Sequence, residues 1–189
     1  MGIVEDRITE SVYVKESILK NRHLIELIYK AGSLVKQTFV DGGKVYLCGN
    51  GGSASDAIHI AAELSGRFQK ERKSLPALSL NADVAALTAI SNDYSYDQVF
   101  ERILSGIVRK EDILIGISTS GNSENVYRAI IEAQRHGAKT IGLLGRGGGK
   151  IHNVTDISII VPSDITARIQ EAHIMIGHII CEIAEEDYE

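Results

Sequence analysis

Lys44-Val45-Tyr46-Leu47-Cys48 runs directly into Gly49-Asn50-Gly51-Gly52-Ser53. A short, mostly apolar run that ends in glycine and asparagine reads as a buried strand turning sharply into a helix. That helix is predicted from about Ser53 to Gly66. Upstream, Leu24, Ile25, Leu27, Ile28, Ala31, Leu34 and Val35 recur at helical spacing. Residues 1–41 therefore read as helix, stopped by Asp41-Gly42-Gly43. Downstream the pattern repeats. Strands are predicted at Pro76–Leu80, Ile113–Ile117, Thr140–Leu144 and Ile157–Val161. Helices are predicted to open near Asp83, to run from Ser123 to about His136, and to close the chain from about Asp164 to Glu185. Five short strands alternating with helices predict an α/β fold: a three-layer sandwich around a five-stranded parallel sheet, as a single domain over residues 1–189. Such sheets bind ligands at the carboxyl ends of their strands.

Two loops lie at such ends. Gly49-Asn50-Gly51-Gly52-Ser53 offers glycine backbone that an anion can approach closely, followed by the free N–H groups of a helix start. Ser53 is expected to cap that helix, with Asp56 as its capping-box partner. Gly49, Gly51 and Ala54 also match a loose dinucleotide-binding pattern. That pattern wants an acid at the end of the second strand. The acid at the right distance, Glu71, falls instead in a charged loop before it. Ser118-Thr119-Ser120-Gly121-Asn122-Ser123 packs four hydroxyls into six residues between a strand and a helix. Hydroxyls and helix-start amides together can surround a phosphate without a lysine. Either loop alone is ordinary turn chemistry; two of them at the ends of different strands favour a phosphate site.

His59 and Glu63 stand four apart, on one helix face. Such a pair can chelate a divalent ion or act in acid/base chemistry, although from spacing alone a helix-stabilising pair is the commoner reading. The last helix carries Gln170, Glu171, His173 and His178, and spacing does not choose among them. His173 in particular suits an exposed position on a helix end. Ile174, Met175, Ile176, Ile179, Ile180 and Ile183 make the same helix apolar nearly all round, which favours a subunit interface as cover.

Composition narrows the classes. The chain has 189 residues, 44% apolar and 24% charged, with a net charge of −5. That charge carries no basic nucleic-acid footprint. The densest basic run, Lys70-Glu71-Arg72-Lys73, reads as a solvated loop. Cys48 and Cys181, the two cysteines, are too few for a disulfide framework or a thiolate cluster. Residues 1–10 carry three acids and no apolar run, and no segment reaches the ~18 apolar residues of a membrane span. A cytoplasmic chain without membrane or nucleic-acid partners is expected.

Cys48 through Ala57, His59, Ala61-Ala62-Glu63-Leu64-Ser65-Gly66-Arg67, Asn92-Asp93-Tyr94, Gly116 through Ser123 and Arg168-Ile169-Gln170-Glu171-x-His173 resemble the SIS (sugar isomerase) family, and within it the phosphoheptose isomerases. The resemblance extends over nearly the whole chain. It implies a flavodoxin-like SIS fold with added N-terminal helices, over residues 1–41, that pack in a homotetramer with active sites at subunit boundaries. The implied reaction is aldose–ketose isomerisation of sedoheptulose 7-phosphate to D-glycero-D-manno-heptose 7-phosphate, toward bacterial surface heptose. The implied zinc ligands, for one ion per subunit, are His59, Glu63, Gln170 and His178. The implied substrate contacts are Asn50, Gly51, Gly52, Glu63, Asn92, Asp93, Ser118, Thr119, Ser120, Ser123 and Gln170, with Ser53 beside them. Glu63 is expected to be the general base and His178 the acid/base partner on the opposite side. Thr166-Ala167 stands where members of the family vary.

Two other readings share these residues. A relative of this fold binds the replication initiator protein and lacks the metal residues, whereas His59, Glu63, Gln170 and His178 are all present here. An isomerase of another sugar phosphate would use the same loops.

Overall fold

The computed structural model describes residues 2–188; Met1 and Glu189, the ends of the expected domain, lie outside them. The order is α1 (Gly2–Lys20), α2 (Arg22–Val40), β1 (Val45–Gly49), α3 (Gly52–Ser65), β2 (Ala77–Ser79), α4 (Val84–Asp93), α5 (Val99–Ser105), β3 (Ile113–Ser118), α6 (Glu124–Arg135), β4 (Lys139–Leu144), α7 (Gly149–His152), β5 (Ile157–Ile160) and α8 (Thr166–Ala184). All strand pairs are parallel, in the order β2-β1-β3-β4-β5. This is the flavodoxin-like order, as expected.

The central strands are apolar throughout because helices cover both faces. Alternate side chains divide between two cores. Val45, Leu47, Ile113, Ile115, Ile141 and Leu143 meet α2, α3 and α8 through residues such as Ile28, Ile60, Leu64, Ile176 and Ile180. Tyr46, Cys48, Leu114 and Leu144 meet α5 and α6 through Phe100, Leu104, Val126 and Ile130. Cys48 and Cys181 are buried free thiols.

The structure refines the sequence reading of the elements, and corrects it at Arg72. The N-terminal helix is two helices, broken at Asn21, whose side chain accepts the Leu24 N–H at 3.1 Å and so starts α2 afresh. The short α5 and α7, and the 3₁₀ turn Tyr96–Gln98, have no counterpart in the reading, because a helix of one or two turns carries too little periodicity to recognise. The Lys70–Lys73 run is a loop, but Arg72 is not solvated: its side chain is 1% exposed. Among the described residues no helix is long and apolar enough to cross a membrane.

Candidate active site

β1 and β3 are neighbours, and the chain leaves their carboxyl ends through the glycine loop and the serine loop. This is the crevice in which parallel sheets of this order bind ligands.

Gly51 takes φ +57°, a left-handed turn that favours glycine. The turn makes Gly51 the N-cap of α3, two positions earlier than the expected Ser53 cap. Ser53 therefore lies buried inside the first turn, its N–H donating to the Asn50 carbonyl at 3.0 Å. Asp56 does not serve as its capping-box partner. One Asp56 oxygen is buried without a partner, and burial raises this carboxyl to about 6 despite nearby His59. Asn81 donates to the Gly49 carbonyl at 2.9 Å and accepts the Gly49 N–H at 3.2 Å, which fixes the end of β1. The Asn50 side chain exchanges hydrogen bonds with Asn125 at 2.8 and 3.0 Å and accepts one from the Tyr96 hydroxyl at 2.8 Å.

The serine loop brings its hydroxyls together. Ser118 and Ser123 Oγ are 2.9 Å apart, and Ser120 Oγ lies 3.4 Å from Ser118 and accepts the Asn122 N–H. Gly121, at φ +66°, packs against the Gly148 carbonyl. The serine loop is thus held backbone to backbone by the segment before α7. Asn92 and Asp93 stand exposed on the last turn of α4 and bond to one another at 3.0 Å. The chain just beyond them returns to the glycine loop through Tyr96.

α8 runs beside α3 in the same direction, since both follow parallel strands on one face of the sheet. Gln170 sets its amide against Gly52 at the start of α3. Further along, Gly177 faces Ile60 so closely that a Cβ there would strike the Ile60 side chain. That close approach delivers His178. His178 Nε2 lies 3.0 Å from His59 Nε2, which lies 3.0 Å from Glu63 Oε1. Phe68 stacks on the His178 ring at 5.2 Å, 11° from parallel.

The donor set suits a divalent ion: two imidazole nitrogens and a carboxylate, all within 4.8 Å of one another, are borderline zinc-type ligands. The described contact of Gln170 is with the glycine loop. Glu63 and His178 lie side by side rather than across a gap of the ~6–7 Å that flanking a substrate needs at ~3 Å on each side. Glu171 and His173 are not part of this group. Glu171 pairs with Arg168. His173 is fully buried, not exposed, and its Nε2–H donates to the Leu144 carbonyl at 3.0 Å. Sequence reasoning missed Asn81, Tyr96, Asn125 and Phe68; apart from the position of Asn125 just beyond the serine loop, nothing in their spacing signals a role.

Comparison with known proteins identifies the family. The SIS domain family matches residues 13–145. Phosphoheptose isomerase of Clostridium acetobutylicum is 50% identical over 98% of this chain and 95% of its own length. That of Nitratiruptor sp. is 57% identical over 85% of this chain and 86% of its own. The chain belongs to the phosphoheptose isomerase family. The structure of the family member from Neisseria gonorrhoeae superposes with a TM-score of 0.92 at 41% identity, covering 98% of each chain. As in the rest of the phosphoheptose isomerase family, the activity is that of an aldose–ketose isomerase.

Proposed function

We propose that this enzyme converts sedoheptulose 7-phosphate to D-glycero-D-manno-heptose 7-phosphate, using Glu63 and His178 beside two phosphate-binding loops. The observation that carries the proposal is the meeting of His59, Glu63 and His178 within 4.8 Å, where α8 packs along α3, the helix that starts at the glycine loop. The phosphate sits between the serine hydroxyls and the α3 start, with Asn50, Gly51, Gly52, Ser53, Ser118, Thr119, Ser120 and Ser123 around it. Gln170, Asn92 and Asp93 contact the sugar. Binding energy from the phosphate, remote from the reacting carbons, serves orientation.

Isomerisation moves hydrogen between two adjacent carbons. Glu63 takes a proton from C1 while His178 gives one to the C2 oxygen, and an enediol forms. His178 then takes the O1 proton and Glu63 returns its proton to C2, leaving the aldose. A base at the carbons next to an acid at their oxygens suits two groups standing side by side. Glu63 Oε1 is engaged by His59, and Oε2 is the oxygen that serves as base. One zinc ion per subunit is held by His59, Glu63 and His178, with Gln170 as an expected fourth ligand. Bound there, it supplies positive charge that stabilises developing enediolate oxygens. On His178 the ligand and acid roles compete for Nε2, so pH–rate profiles with and without zinc separate them.

The chain acts as a single SIS domain in a tetramer whose packing uses α1, α2 and the apolar face of α8. An apolar groove of about 420 Å³, lined by Ile18, Leu19, Ile28, Met175, Ile179 and Ile183, supports that reading. Met175→Glu then shifts the sedimenting species to a smaller one.

Incubation with sedoheptulose 7-phosphate, with zinc and with chelator, tests the function. Formation of the heptose aldose phosphate supports it. No product under either condition favours the non-catalytic, protein-binding alternative. A higher kcat/KM on five- or six-carbon sugar phosphates assigns the enzyme to another substrate.

A further inference from the structure

The His59–Glu63–His178 group exists only while α3 and α8 hold one spacing. Gly177 against Ile60 allows the helices to approach, but glycine does not hold them there. What lies at their far ends is a clamp. Arg72 and Glu185 form an ion pair at 3.0 Å with side chains 1% and 2% exposed. Nine residues beyond Glu63, the Arg72 guanidinium turns back on α3. Its Nη2 donates to the Glu63 carbonyl at 2.9 Å, and its Nη1 to the Leu64 carbonyl at 2.9 Å and the Lys73 carbonyl at 3.2 Å. The Glu63 and Leu64 carbonyls belong to the last turn of α3, where helical partners run out, and Leu64 also accepts the Leu75 N–H at 3.2 Å. Glu185, just past the end of α8, accepts the N–H groups of Gln69 and Lys70 at 2.7 and 3.0 Å. Burial opposes its charge, but those N–H groups and Arg72 hold its carboxyl below the ordinary range.

The clamp therefore joins three things at once: the turn of α3 that carries Glu63, the loop that carries Phe68, and the end of α8 two turns beyond His178. Phe68 in turn stacks on the His178 ring. Arg supplies what Lys cannot, a flat fork that reaches a carboxylate and several carbonyls in fixed directions.

We infer that the buried Arg72–Glu185 pair is a positioning element of the active site, which sets the spacing of α3 and α8 and thereby the facing of His178 to His59 and Glu63. This rests on the reading of that group as the catalytic, metal-holding centre. Groups that orient metal ligands commonly shift affinity or activity by about 10–100-fold.

The test uses Glu185→Gln, which keeps an acceptor for Gln69 and Lys70 but removes the charge, and Arg72→Met, which removes the fork. Asp156→Asn is the control: Asp156 accepts the Thr140 N–H at 2.9 Å and its hydroxyl at 2.6 Å, where β4 and β5 begin at the far edge of the sheet from β2. The direct readout is the ring-proton contact between His59 and His178 by NMR in zinc-free protein. Both clamp variants are expected to lose it, to bind zinc at least ten-fold more weakly, and to lower kcat with KM within about two-fold. Asp156→Asn is expected to lower the unfolding midpoint and move none of these. Should Arg72→Met fail to fold, Glu185→Gln decides alone. Retention of the ring contact, zinc affinity and kcat in the folded variants overturns the inference. A wild type that shows the ring contact and its loss in the variants, yet neither binds zinc nor turns over, overturns the catalytic reading and leaves the clamp standing.

Discussion

His59 and His178 are 119 residues apart in the chain, and their Nε2 atoms meet at 3.0 Å. Nitrogens at that distance share one proton, so one ring donates and the other accepts. Glu63 Oε1, also 3.0 Å from His59 Nε2, competes for the same proton. One hydrogen cannot serve all three atoms; with it released, both Nε2 lone pairs and the Glu63 carboxylate face one another, the electronic requirement of a cation site.

On the proposed mechanism Glu63→Gln removes the base, and it keeps the shape of a side chain that is 24% exposed. Turnover is expected to fall by at least ~10²-fold, the usual share of a positioned acid/base group. The unfolding free energy is expected to stay within about 0.5 kcal/mol of wild type. Steady-state kinetics beside urea denaturation check both. Turnover near that of wild type would free Glu63 of the base role.

Gly52→Ala separates stability from binding. A Cβ at Gly52 points into the Gln170 amide, the movable end of a side chain, so the backbone is not forced. Alanine in a helix is favoured over glycine by roughly 0.5–1 kcal/mol. The variant is therefore expected to unfold later while KM for the sugar phosphate rises several-fold. An unchanged KM would take Gln170 out of the substrate site.

Asn125→Ala strips the Asn50 amide of its reciprocal partner and leaves the Val126 N–H, which Asn125 accepts at 3.0 Å, without one. Leaving buried polar groups unpaired costs about 1–3 kcal/mol. The glycine loop loosens with it, and KM is expected to rise more than kcat falls. Calorimetry of inorganic phosphate binding reads the same effect without turnover.

His173 predicts an acid limb in stability. Burial lowers it to about 4, even though its bond to the Leu144 carbonyl works the other way. The ring is neutral in the folded chain and takes a proton on unfolding below its ordinary ~6.5. The folded state thus keeps its full advantage above ~6.5 and loses it as pH falls through 4, a change of about 3 kcal/mol. His173→Gln keeps a donor for Leu144 without an ionisable ring. Its urea midpoint should depend less on pH than that of wild type between pH 4 and 6.5.

What the sequence revealed followed from how local the signal was. Glycine and serine after apolar runs marked both loops, because turn chemistry is written in consecutive residues. The strand series gave the parallel sheet, and His59 with Glu63 gave one helix face. His178 was singled out by resemblance, since no spacing relates position 178 to position 59. His173 was expected outside, but an imidazole with a single backbone acceptor is tolerated inside, and the apolar pattern around it was the better guide. Arg72 hides in a run of charges that looks solvated. Its burial is set by Glu185, which lies beyond all five strands. Asn125, Tyr96 and Asn81 act on backbone or side chains 32 to 75 residues away, a distance no local motif encodes.

α8 follows all five strands in the chain, yet it alone contributes the second imidazole. Without α8, the paired sheet and its two loops lack that imidazole. On the proposed mechanism the packing of α8 along α3 completes the acid/base pair, which ties activity to that one packing event. Any ligand or mutation that delays that docking reads out as a lag in activity rather than as a change in secondary structure.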